Sequence, residues 1–98
     1  MTRAETLDAA KACVCQNREQ EYGSPENNFA TIADMWNKYL YARWGSGNVP
    51  AGQVTSMDVA MMMALLKIAR TATGTFKEDS FVDACGYIAC AAELAKGE

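Results

Sequence analysis

Three clusters in this 98-residue chain combine residue types that bind or transform charged ligands. The first runs Arg18-x3-Tyr22-Gly23-x-Pro25-x2-Asn28-Phe29, at the junction of two helical patterns. A helix N-terminus there offers backbone N–H groups beside an aromatic ring, an amide and a guanidinium, a set that binds phosphate and stacks a base. The same residues also suit a plain turn with a caging tyrosine and a cap. The second cluster, Lys67-x2-Arg70, ends an apolar segment. The helix dipole favours cations at that end, so a structural role accounts for them, yet a lysine interrupting an apolar helix must snorkel or meet an anion. The third is Asp79-x3-Asp83-x2-Gly86-Tyr87. Spacing i, i+4, i+7 and i+8 places both carboxylates and the tyrosine on one helix face, with glycine clearing space. Such carboxylates hold Mg²⁺ with waters and substrate phosphates completing its octahedron, or they pair with Lys67 and Arg70 as salt bridges.

Four helical segments must position these groups. The first carries Leu7, Ala10 and Val14 at helical spacing from Thr6 and stops by Tyr22-Gly23. Ser24-Pro25-Glu26 is the clearest helix start: a cap, a proline at the first helical position and an acid at the positive end of the dipole. Phe29, Ile32, Ala33, Trp36 and Leu40 then form one bulky stripe, and the helix should end near Arg43-Trp44-Gly45. Three glycines and Pro50 make residues 45–52 an irregular connection. Thr55-x-x-Asp58 is an acidic variant of the capping box. It opens a third helix, over 56–72, in which ten of the twelve residues from Asp58 to Ala69 are apolar. A turn around Gly74 follows, and Asp79 or Ser80 caps a fourth helix. Phe81, Cys85, Ile88, Ala92 and Ala95 line one face of it, and its alanines and Gly86 keep it slim.

The chain is half hydrophobic, but 17 of those residues are alanine, whereas Leu, Ile, Val and Phe together number 16. So thin a supply of large side chains predicts an all-α, compact bundle of three to four helices, a single helical domain over 1–98, made stable by oligomerisation. Helix 56–72, apolar on every face, is the expected interface of a homo-oligomer, because its neighbours in one small chain cannot cover it. Nine basic against twelve acidic residues, scattered, argue against duplex nucleic acid as a partner. The absence of histidine excludes Ser-His-Asp and Cys-His catalysis within one chain. Cys13, Cys15, Cys85 and Cys90 fit no zinc-knuckle or thioredoxin spacing and read as reduced thiols. With neither a signal-peptide pattern nor an apolar run of membrane length, the expectation is a cytoplasmic protein without a membrane partner.

The order Tyr22-Gly23-x-Pro25-x2-Asn28-Phe29, Ile32-Ala33-x2-Trp36, Asp58-Val59-Ala60-x-Met62-Met63-x-Leu65-Leu66-Lys67-Ile68-Ala69-Arg70 and Asp79-Ser80-x2-Asp83-x2-Gly86-Tyr87 resembles a family of small phage and prophage proteins of unassigned function. The resemblance covers residues 18–94. That family in turn looks like the nucleotide modification-associated domain of phage genomes. In size and helical organisation it is also similar to the cyclic-oligonucleotide sponges with which phages disarm host immune signalling.

These resemblances imply a small nucleotide ligand bound by Arg18, Tyr22, Asn28, Trp36, Lys38, Lys67, Arg70 and Tyr87. Tyr22 and Trp36 would stack bases, Lys38, Lys67 and Arg70 would neutralise phosphates, and Asn28 would read a base edge or phosphate oxygen. The leading expectation is sequestration of a cyclic di- or oligonucleotide immune signal without cleavage and without a cofactor. Oligomerisation through helix 56–72 would then build composite pockets. An alternative is a Mg²⁺-dependent all-α nucleotide pyrophosphohydrolase, with Asp79 and Asp83 as metal ligands. The paired E-x2-E and E-x2-D helices of those enzymes are approached here only by Glu5-x2-Asp8 and Asp79-x3-Asp83. A third reading is a structural or regulatory adaptor.

Overall fold

The computed structural model describes residues 1–17, 25–45 and 53–97, and among them there is helix and connecting turn but no strand. The order is α1 (Arg3–Ala12), a π-helical turn (Cys13–Asn17), α2 (Pro25–Trp44), α3 (Ser56–Ala72) and α4 (Glu78–Gly97). The expected all-α bundle is observed. No described helix is long and apolar enough to cross a membrane.

Local chemistry fixes several of these boundaries. At α3 the Thr55 hydroxyl oxygen accepts from the Asp58 N–H at 3.2 Å, and the Asp58 carboxylate accepts from the Thr55 N–H at 3.0 Å. This is the capping box expected from sequence, a feature worth about 1 kcal/mol. The same device opens α1, where Thr2 and Glu5 exchange bonds of 3.1 and 2.8 Å, so the first helix begins earlier than the Leu7 pattern indicated. Gly45 stops α2 in the left-handed region at φ +77°, and its N–H donates to the Tyr41 carbonyl at 2.7 Å. The fourth helix starts at Glu78, ahead of the Asp79 or Ser80 cap expected.

Bonds from the Thr2 backbone and hydroxyl hold the Glu5 carboxyl below its ordinary value of 4.5. A carboxylate with a depressed folded pKa stabilises α1 fully above the unfolded value, and that stabilisation fades as pH falls through the folded one. The protection factors of the α1 amides, exchange rates corrected for the intrinsic pH dependence, should therefore fall selectively on acidification below about 4.5. In Thr2→Ala these protection factors should be low at every pH; wild-type protection factors flat in pH would refute this assignment.

The core forms where α2 meets the α3–α4 hairpin. Phe29 and Val59 are fully buried, joined by Ala33, Ala60, Ala64, Tyr87, Cys90 and Ala91. Ile32 and Trp36 pack against this cluster, as their shared stripe with Phe29 predicted. Asn37, one residue beyond, clamps the start of the third-helix region. Its amide donates to the Val54 carbonyl at 3.0 Å, and its carbonyl accepts from the Val54 N–H at 3.2 Å.

The face expected for α4 is corrected. Phe81 and Ile88 are each 46% exposed, and Ala92 and Ala95 also face outward. The buried side carries Ser80, Val82, Tyr87, Cys90 and Ala91 instead. The reason is steric: small residues on that side, among them Ala84, Gly86 and Ala91, let α1 and α3 approach closely, whereas the bulky stripe would hold them off. Leu7 of α1, expected inward, is likewise exposed, while Ala10 is buried. Helix α3 behaves as its composition required: Val59, Ala60 and Ala64 are buried, but Met61, Met62, Leu65, Leu66 and Ile68 remain 41–59% exposed.

Candidate functional site

Helices α3 and α4 run antiparallel across a short turn, which sets Lys67 against Asp83. The Lys67 ammonium lies 3.0 Å from an Asp83 carboxylate oxygen, with the two side chains 16% and 33% exposed. The lysine that interrupts the apolar helix therefore meets its anion within the chain. An ammonium has three donors, so at least two remain for other oxygens. Asp79, one turn before Asp83, is exposed.

One turn along α4, Gly86 and Tyr87 form the floor on which two other segments rest. Val14 of the π-helical turn comes so close that a Cβ placed on Gly86 would lie 2.9 Å from its Cγ1. The Tyr87 ring packs on Phe29 of α2, with centroids 6.0 Å apart and planes tilted by 43°. A cleft of about 10 Å³ between them is lined by Cys13, Val14, Asp83, Gly86, Tyr87 and Cys90. Its size admits no more than a water among the described residues. Val14, four residues before the first cluster, and Phe29, its last residue, thus abut neighbouring positions of α4.

The sequence-predicted residues divide accordingly. Lys67, Asp83 and Tyr87 come together, half-buried Asn28 adjoins Phe29, and Trp36 lies further along the same stripe of α2. Arg18 and Tyr22 lie outside the described residues. Lys38 is exposed, nine residues from Phe29 and hence half a turn around from the packed stripe. Arg70 is exposed one turn beyond Lys67. Tyr87 is 7% exposed, so its ring serves the core and does not offer a stacking face.

Magnesium chemistry at Asp79 and Asp83 finds a poor fit, because the carboxylate nearer the cleft is already neutralised by Lys67. Among the described residues no group of three or more Asp, Glu, Cys or His side chains converges as a metal site would require. All four cysteines are free thiols.

One feature escaped sequence reasoning. A groove of about 690 Å³ runs between α1, α3 and α4, lined by Leu7, Ile68, Phe76, Phe81 and Ile88. The signal was present, since α3 and α4 both carry more large apolar residues than one packed face can use. Its polar rim includes Glu78, 3.5 Å from the amino terminus.

Comparison with known proteins gives a family and two relatives. The Gene 55 protein of Mycobacterium phage D29 is 33% identical over 84 residues, covering 86% of this chain and 49% of that protein. The Gene 55 protein of Mycobacterium phage L5 is 35% identical over 81 residues, covering 83% and 46%. The chain spans about half the length of these relatives. No solved structure matches. The phage resemblance read from the motifs thus has phage relatives behind it. A family model described as a domain of unknown function matches residues 5–95, which takes in the Lys67–Asp83 pair and both segments resting on α4, and the chain belongs to that family, DUF6378.

Proposed function

We propose that this chain is a ligand-binding protein that holds a small nucleotide-derived anion, a cyclic di- or oligonucleotide, and releases it unchanged. One observation carries the reading. The segments on either side of the Arg18–Tyr22 cluster both rest on Gly86 and Tyr87, within one helical turn of the paired Lys67 and Asp83. Val14 and Phe29, on either side of residues 18–24 in the sequence, thus rest on the stretch of α4 that follows Asp83. Asp83 fixes the Lys67 ammonium in position and leaves donors on it for phosphate oxygens. Asn28 and Trp36 border the same side of α2.

Calorimetric titration with a panel of cyclic di- and trinucleotides tests this. At least one member is expected to bind without added Mg²⁺ and to be recovered intact by mass spectrometry after denaturation. Lys67→Met should weaken that binding about 10- to 100-fold, the equivalent of one charged hydrogen bond. A panel without binders, or recovery of cleaved product, would overturn the proposal.

A further inference from the structure

We infer that a second copy of this chain docks on the outer face of α3, in an antiparallel, two-fold arrangement that seats each copy's Met61 in the groove beside the other copy's Ile68. Surface area supplies the first argument. The chain exposes 6867 Å², whereas a closed monomer of 10.6 kDa exposes about 5,500 Å². The surplus of roughly 1,400 Å² exceeds the ~800 Å² that each partner contributes to a standard interface. Shape agrees: the radius of gyration is 14.8 Å, against about 12.6 Å for a compact domain of this length.

Part of this exposed surface is apolar and lies on α3. Met61, Leu65 and Ile68 repeat at i, i+4 and i+7 on the side of α3 turned away from Val59, Ala60 and Ala64. Between Asp58 and Arg70 the one charged residue of α3 is Lys67, and it points to Asp83 on the packed side. Three turns of helix therefore offer an apolar stripe uninterrupted by charge. At its C-terminal end Ile68 becomes a wall of the 690 Å³ groove, continued by Phe81 and Ile88.

A second copy fits this surface because the stripe is symmetric about its own midpoint, between residues 64 and 65. Rotation by two-fold symmetry about that point places Met61 opposite Ile68 and sets the two Leu65 side chains on either side of the axis, one residue out of register. The unbranched thioether of Met61 adapts to an irregular groove. The same rotation brings the Asp58 end of one helix to the Arg70 end of the other and sets the helix dipoles antiparallel. A parallel pairing would align like charges and like dipole ends.

Sedimentation equilibrium of the intact chain is expected to give twice the 10.6 kDa chain mass, or a higher multiple built on that dimer. Leu65→Glu should reduce it to 10.6 kDa with helix content unchanged, because Leu65 is exposed within each copy. Ile68→Lys provides the same readout should Leu65→Glu lower helix content. The double variant Met61→Glu/Ile68→Lys should associate again, since the antiparallel pairing opposes each new carboxylate to a new ammonium. A wild-type monomer at the highest soluble concentration, or association unmoved by both single variants, would overturn the proposal. Nucleotide titration of the monomeric variant reports separately on the ligand site.

Discussion

Replacing Phe29 by alanine should lower the unfolding free energy by about 3–5 kcal/mol, the usual cost of emptying a site filled by a fully buried ring. Domains of this kind hold about 5–15 kcal/mol in total, so the variant will sit at the edge of folding. The loss combines transfer of the ring, a residual cavity lined by small residues such as Ala33 and Ala60, and the tilted contact with Tyr87. Chemical denaturation measures it directly. Phe81→Ala is the control: the same residue type, half exposed, should cost below about 1 kcal/mol. Equal losses in the two variants would mean that the packed face of α4 has been misassigned.

Gly86→Ala is the second large expectation, and its direction is not the one helix propensity gives. In a helix interior alanine gains up to about 1 kcal/mol over glycine. Here the added methyl would lie 2.9 Å from Val14 Cγ1, on a β-branched side chain with little freedom to turn aside. Overpacking of that kind costs about 1–3 kcal/mol, so a net loss of about 1–2 kcal/mol is expected. Val14→Ala in the same chain should restore most of it, and a double-mutant cycle gives the coupling. An increase in stability for Gly86→Ala alone would show that the segment at Val14 yields freely.

Much of the fold is legible in the residues. Pro25 at the start of α2, the Thr55–Asp58 box and Gly45 are local signals, each satisfied by atoms within a few positions, and the helices start or stop where they say. Thr2-x-x-Glu5 is a signal of equal quality, masked by the weak apolar pattern of α1. The stripe Phe29–Ala33–Trp36 was readable because its opposite face carries Asp34 and Lys38, so polarity chose the side. No such contrast exists on α4. Both of its sides are apolar, and the choice fell to small residues that allow close approach, a property of pairs of helices and not of one. For the same reason the site was only partly readable. The Lys67–Asp83 bond follows from antiparallel register, and the burial of Tyr87 follows from Phe29, 58 positions away. The Asn37–Val54 clamp, linking positions 17 apart, left no periodic trace at all.

The turn between α3 and α4 also has a kinetic meaning. Joining two helices through residues 73–77 makes their contacts local, and local contacts close quickly because little chain entropy is spent on the loop. The hairpin is thus the natural folding nucleus, with α2 and then α1 condensing on it. During synthesis from the N-terminus, however, α4 emerges after everything it must organise. Phe29, Val59 and their neighbours have no complete core until Tyr87, Cys90 and Ala91 have left the ribosome. Until then the methionine-rich face of α3 is exposed on both sides, and the nascent chain is most open to capture by chaperones.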